Sequence, residues 1–227
     1  MTQPAAGGSS NEKRLQKVLE TAEHLIALSG LEGASMRQIS ASAGYTNSNT
    51  VQYHFGDKYS LVDAILEWRC AELEERRNVL LRELLQRTPH PGAAELLKVI
   101  IDPILEVRDG DGRRIHAHLL LKIMYLNRFA NKEVWQISTP ATLKSIHLLH
   151  GYAPHLHMDL FRTRVSRISA MILQLVVNND LAMLDNIAAP PEEIMLEDAY
   201  SIALAGLQAV VPIATEMWFS RYGRPKG

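Results

Sequence analysis

The stretch from Ser35 to Lys58, SMRQISASAGYTNSNTVQYHFGDK, most constrains what this chain can fold into, because it reads as two short helices joined by a sharp turn. Ser35 can cap a helix, and Gln38 three residues on completes a capping box. Met36 and Ile39 supply apolar contacts until Gly44, which can take the positive φ that turns the chain out of a helix. Thr46 and Asn47 are both competent caps, so the pattern predicts a second helix from there to His54. Its side chains Ser48, Asn49, Thr50, Gln52, Tyr53 and His54 are polar, and only Val51 and Phe55 are clearly apolar. So polar a helix makes a poor core element. It suits a DNA major groove, where Asn and Gln pair with adenine and hydroxyls meet base edges or phosphates.

Upstream, Arg14 to Ser29 places Leu15, Val18, Leu19, Ala22, Leu25 and Ile26 on one helical face, which predicts a supporting helix. The runs ETAEHLIALSGLEGASMRQISASAG and QYHFGDKYSLVDAIL, taken in order, resemble the DNA-binding domain of the tetracycline-repressor (TetR) family over residues 12–68. Between Gly44 and Phe55 the chain is one residue longer than the commonest family pattern, which alters the turn or the first turn of the recognition helix. The resemblance implies an all-α protein: an arm over 1–11, a three-helix helix-turn-helix domain over 12–60, and a helical ligand-binding and dimerisation domain over 61–227. It places Arg37, Tyr53, His54 and Lys58 near phosphates, and Thr46, Asn47, Ser48, Asn49, Thr50 and Gln52 near base edges. The expected partners are a double-stranded DNA operator, a small-molecule effector and a second copy of the chain.

Composition supports the helical reading, since Leu, Ile, Ala and Met are plentiful and 47% of residues are hydrophobic. Formal net charge is −1, so the molecule as a whole is not a basic nucleic-acid binder. Local charge decides instead: Arg37 and Lys58 against Asp57 leave +1 over 35–58, with Lys13 and Arg14 nearby. The single Cys70 excludes an intramolecular disulfide framework and suits a reducing compartment. The first fourteen residues lack a signal-peptide core, and the apolar run from Ile202 to Ala214 is too short to cross a bilayer. The expectation is a cytoplasmic protein with no membrane partner.

Beyond the head, Asp57 caps a helix that continues to Arg87, where TPHPG breaks it. Further helices are expected to Leu105, kinked or ended at Pro103, then over 113–129, 140–150, 160–178 and 191–221. In the fourth of these, Phe161, Val165, Ile168 and Ile172 recur at helical spacing while Met171, Leu173, Val176 and Val177 form a second apolar face. The last is apolar nearly all round and rich in small residues, with Gly206 and Val210 among them. A helix apolar on two sides needs two partners. Phe161, Val165, Ile168, Ile172, Gly206 and Val210 are therefore the expected dimer interface, in keeping with the four-helix bundle that the resemblance implies. His118, Met124, Tyr125, Met171 and Gln174 are candidates for a largely hydrophobic ligand, although Met and Tyr at such spacing more often serve a core.

Other chemistries find little support. His147, His150, His155 and His157 gather at a helix end, but a metal site needs a third ligand and supporting partners, so surface or capping roles are the simpler reading. His116 and His118 lie on opposite helix faces, and the DGDG at 109–112 is too short for a calcium loop. No phosphate loop, dinucleotide fingerprint or nucleophile elbow is present, so neither an enzyme nor a cofactor is expected. The rival readings are a helical enzyme or metal-binding protein using His147–His157, and a protein-interaction module whose helix pair meets protein rather than DNA.

Overall fold

The computed structural model describes residues 8–124, 126, 139–185 and 187–222. Every regular element among the described residues is an α-helix. We number them α1 (Gly8–Gly33), α2 (Met36–Ser42), α3 (Thr50–Phe55), α4 (Lys58–Arg87), α5 (Ala93–Glu106), α6 (Ile115–Met124), α7 (Pro140–His150), α8 (Met158–Leu184), α9 (Glu192–Gln208) and α10 (Ile213–Tyr222). The chain divides into two compact units, one of residues 1–71 with 118–132 and one of 72–117 with 133–227.

In the first unit, α1 begins at Gly8, inside the span read as an arm, and Gly30 breaks it at φ 76 and ψ 168. Val18, Leu19, Ala22 and Ile26 of α1 bury with Ile39 of α2, Val51 of α3, and Leu61, Val62 and Ile65 of α4. Side chains three and four apart share a helix face, and four of the six expected α1 stripe residues are buried; Leu25 is half-buried and Leu15, in the first half of the helix, is 45% exposed. Glu23 of α1, 1% exposed, accepts from Arg69 of α4 through Nε at 2.9 and 3.1 Å, and Arg69 stacks on Trp68 with 3.9 Å to the ring centroid. This buried pair ties the outer helices of the head together.

In the second unit, α8 packs extensively on α9, and α5 packs on α7 and α9. Leu96, Leu97 and Ile101 of α5, Leu149 of α7, Ile172, Leu173 and Val176 of α8, and Ala199 and Ala203 of α9 are buried. Arg77 of α4 donates to the Ile100 carbonyl at 3.0 and 3.1 Å, next to the turn of α5 that Pro103 interrupts without ending the helix. Arg114, 1% exposed, is ion-paired to Asp180 of α8 and lies 2.5 Å from Glu192 of α9, which also accepts from Arg108 at 2.8 Å.

Two expectations for the C-terminal helices need correction. The long helix over 191–221 is broken: Ala209 is extended at φ −57 and ψ 141, and α9 and α10 meet at 73°. Pro212 is the cause, since it lacks an N–H and disfavours helical geometry in the residue before it. Arg164 of α8 holds the bend by donating to the carbonyls of Leu207 at 3.0 Å and Ala209 at 2.6 Å. The stripe Phe161, Val165, Ile168 and Ile172, expected to meet a second subunit, is buried within this chain, and a Cβ added at Gly206 would sit 3.7 Å from Ile168. Of the six expected interface residues, Val210 stands fully outward at 90% exposure. No single described helix is long and apolar enough to cross a membrane, although the bent pair α9 and α10 together pass by length and composition.

Candidate DNA-binding site

The head is assembled from local rules that the structure bears out in detail. Ser35 Oγ accepts from Gln38 N at 3.1 Å and Gln38 Oε1 accepts from Ser35 N at 2.9 Å, so the capping box of α2 is complete. Gly44 turns the chain at φ 88, a backbone setting that an L side chain resists. Ser40, fully buried, then accepts from Val51 N at 3.3 Å, which fixes the start of α3 against α2 and satisfies one of its otherwise unpaired first-turn donors.

The second helix starts later than expected. Thr46 to Asn49 are non-helical and α3 opens at Thr50. Asn47 explains the delay: its Oδ1 accepts from Asn49 N at 3.0 Å, and its carbonyl accepts from Thr50 N at 3.2 Å and Thr50 Oγ1 at 2.9 Å. Such local side-chain bonds offer the backbone an alternative to helix.

Arg37, Thr46, Asn47, Ser48, Asn49, Gln52, Tyr53 and His54 are all exposed, with Tyr53 at 88%, and Thr50 is half-exposed. They form one polar edge over the buried anchors Ile39 and Val51. Lys58 differs. Its Nζ donates to the Leu31 carbonyl at 2.6 Å and lies 3.5 Å from Glu32, so it fastens α4 to the end of α1. One cation escaped the sequence reading: a Cβ at Gly44 would lie 3.8 Å from Lys17 Nζ, which places an exposed charge of α1 beside the turn. Only the fold brings it there, 27 residues upstream of Gly44.

The sequence model of bacterial regulatory proteins of the tetR family matches residues 18–65, the segment that carries this constellation. Over this segment the chain is similar to the helix-turn-helix domain of the tetR family. A helix-turn-helix of this kind is a DNA-binding domain of bacterial regulatory proteins. A crystal structure from Rhodococcus sp., assigned to the same family of transcriptional regulators, is similar over 88% of this chain and 100% of its own at 15% identity, with a TM-score of 0.48. No curated protein matches.

The expected ligand residues are divided between the two units. His118 is buried and Met124 half-buried in the first unit, while Tyr125 lies outside the described residues. In the second unit Met171 is half-buried, and exposed Gln174 spends its amide on Asn178 at 2.8 Å. The histidine segment is taken up by local structure: His150 bonds the Leu156 carbonyl at 2.9 Å and stacks edge-on against Phe161, and His157 caps α8 by accepting from Asp159 N at 3.3 Å. Among the described residues no three His, Cys, Asp or Glu side chains are grouped to hold a metal.

Proposed function

We infer that this chain is a transcriptional repressor of the TetR type that binds a near-palindromic operator as a homodimer and is released by a small, largely hydrophobic effector. The observation that carries the reading is the exposed polar edge from Thr46 to His54, held on a capped and buried helix pair. A polar surface on so ordered a support is suited to read base edges, which demand fixed geometry. In this reading Arg37, Tyr53 and His54, joined by Lys17, set register on phosphates, while Lys58 holds α4 against α1 behind them, and Asn47, Ser48, Asn49, Thr50 and Gln52 choose sequence, with Thr46 beside them.

Support for a second copy comes from the apolar surface that the chain leaves outward: Ile194 and Ile202 of α9, Val210, and Ile213, Met217 and Trp218 of α10 are each at least 49% exposed. So many large apolar side chains left exposed on two successive helices favour an interface there. Two heads related by a twofold axis read successive major grooves, with half-sites about 34–36 Å apart. The effector acts by binding more tightly to a conformation whose heads do not match that spacing.

The test is selection of duplexes bound by the purified protein from a random pool, with sedimentation on the same sample. An enriched palindrome bound by a dimer supports the reading. Binding indifferent to sequence, or a monomer at micromolar concentration, refutes it.

A further inference from the structure

Resting on the effector reading above, we propose that the second unit carries a groove for an amphipathic anion, a medium-chain carboxylate, between α4 and α7. A cavity of about 580 Å³ opens there, lined by Asn78, Leu81, Arg82, Leu85, Gln86, Pro140, Ala141 and Lys144. The α4 members recur at three- and four-residue steps, so they form one helical face, and Pro140, Ala141 and Lys144 form the facing first turn of α7. The volume falls within the range of about 300–1,000 Å³ that small-molecule sites occupy.

The lining sorts by chemistry. Leu81 and Ala141 are buried and make an apolar floor, Leu85 and Pro140 extend it, and Asn78 and Gln86 supply amides. Arg82 and Lys144 are the charged members, and no carboxylate lines the groove. Three neighbouring charges are already committed. Arg76 pairs with Glu106 at 2.7 Å, Arg77 with the Ile100 carbonyl, and Glu74 accepts from Ala141 N at 2.5 Å and Thr142 Oγ1 at 3.3 Å. Arg82 and Lys144 have no hydrogen-bond or ion-pair partner among the described residues. Two uncommitted cations over an apolar floor fit a molecule with an anionic head and a hydrocarbon body, because the head gains charge-assisted bonds while the chain leaves water. A neutral hydrocarbon leaves the cations unused, and a bare anion leaves the floor wet.

The experiment is calorimetric titration of the full-length protein with decanoate, decanol and inorganic phosphate, repeated on Arg82→Gln, Lys144→Gln, the double variant and the control Arg87→Gln. Decanoate is expected to saturate one site per chain and to weaken about tenfold in each groove variant, with decanol and the control unchanged. Absence of saturable decanoate binding, or undiminished binding to the double variant, overturns the groove. Operator affinity measured on the same samples separates the two readings. Decanoate that binds through Arg82 and Lys144 but leaves DNA affinity unchanged keeps the groove and refutes its role as effector site. Release of DNA by decanoate in wild type and double variant alike overturns the groove and keeps the effector.

Discussion

Replacing Glu23 with leucine tests whether the head is held together as its geometry implies. The carboxylate is 1% exposed and the Arg69 side chain 13%, so the pair sits out of water. A surface pair contributes roughly 0–1 kcal/mol, whereas removing one partner of a buried pair costs about 3–5 kcal/mol, since the charge left behind remains desolvated. Arg69 keeps its stack on Trp68 and some access to solvent, which places the expected loss at the lower end, about 3 kcal/mol. Against a typical total of about 5–15 kcal/mol this is a large share, and operator binding should weaken for all sequences alike. The double variant Glu23→Leu/Arg69→Met has no stranded charge and should return to within about 1 kcal/mol of wild type. Urea unfolding followed by circular dichroism reads both values. A single-variant loss below about 1 kcal/mol, or a double variant as unstable as the single, refutes the argument.

Gln52→Ala should change base preference in the selection experiment, whereas Arg37→Ala should weaken all duplexes equally and lower the salt slope by about one; identical profiles for wild type and Gln52→Ala remove that residue from base reading. Gly206→Ala meets Ile168 at an ordinary 3.7 Å and should raise thermal stability by up to about 1 kcal/mol, so a drop in melting temperature means that the contact is tighter than described. Burial pushes the Asp109 and Glu192 carboxyls up, but the bonds and charges of Arg113 on the first, and of Arg114 and Arg108 on the second, outweigh it and leave both below their ordinary values. Their stabilisation is present above the ordinary carboxylate range and is lost as pH falls through the depressed folded values. Asp102, raised by burial against the opposing bond from Tyr200, works in the other direction. Asp109→Asn should therefore flatten the acid side of the urea midpoint measured against pH, and an unchanged slope counts against the pairing.

The resolvable part of this protein in sequence is what depends on near neighbours. Ser35 with Gln38, the turn at Gly44 and the cap at Asp57 are governed by bonds and sterics within a few residues, and each is found where the pattern put it, as are Val18, Leu19, Ala22 and Ile26 of the α1 stripe. The start of α3 was missed because Asn47 offers two competing local structures, cap or side-chain turn, and the bonds made around it decide between them. The tertiary structure alone decided which apolar face of α8 turns inward. Periodicity reports that Phe161, Val165, Ile168 and Ile172 share a side but not what covers it, and α9 covers it through Gly206 and its neighbours. The pairing of Glu23 with Arg69, the approach of Lys17 to Gly44 and the gap between α4 and α7 were equally hidden. Each joins residues far apart in sequence, and no local energy term connects them until the chain has folded.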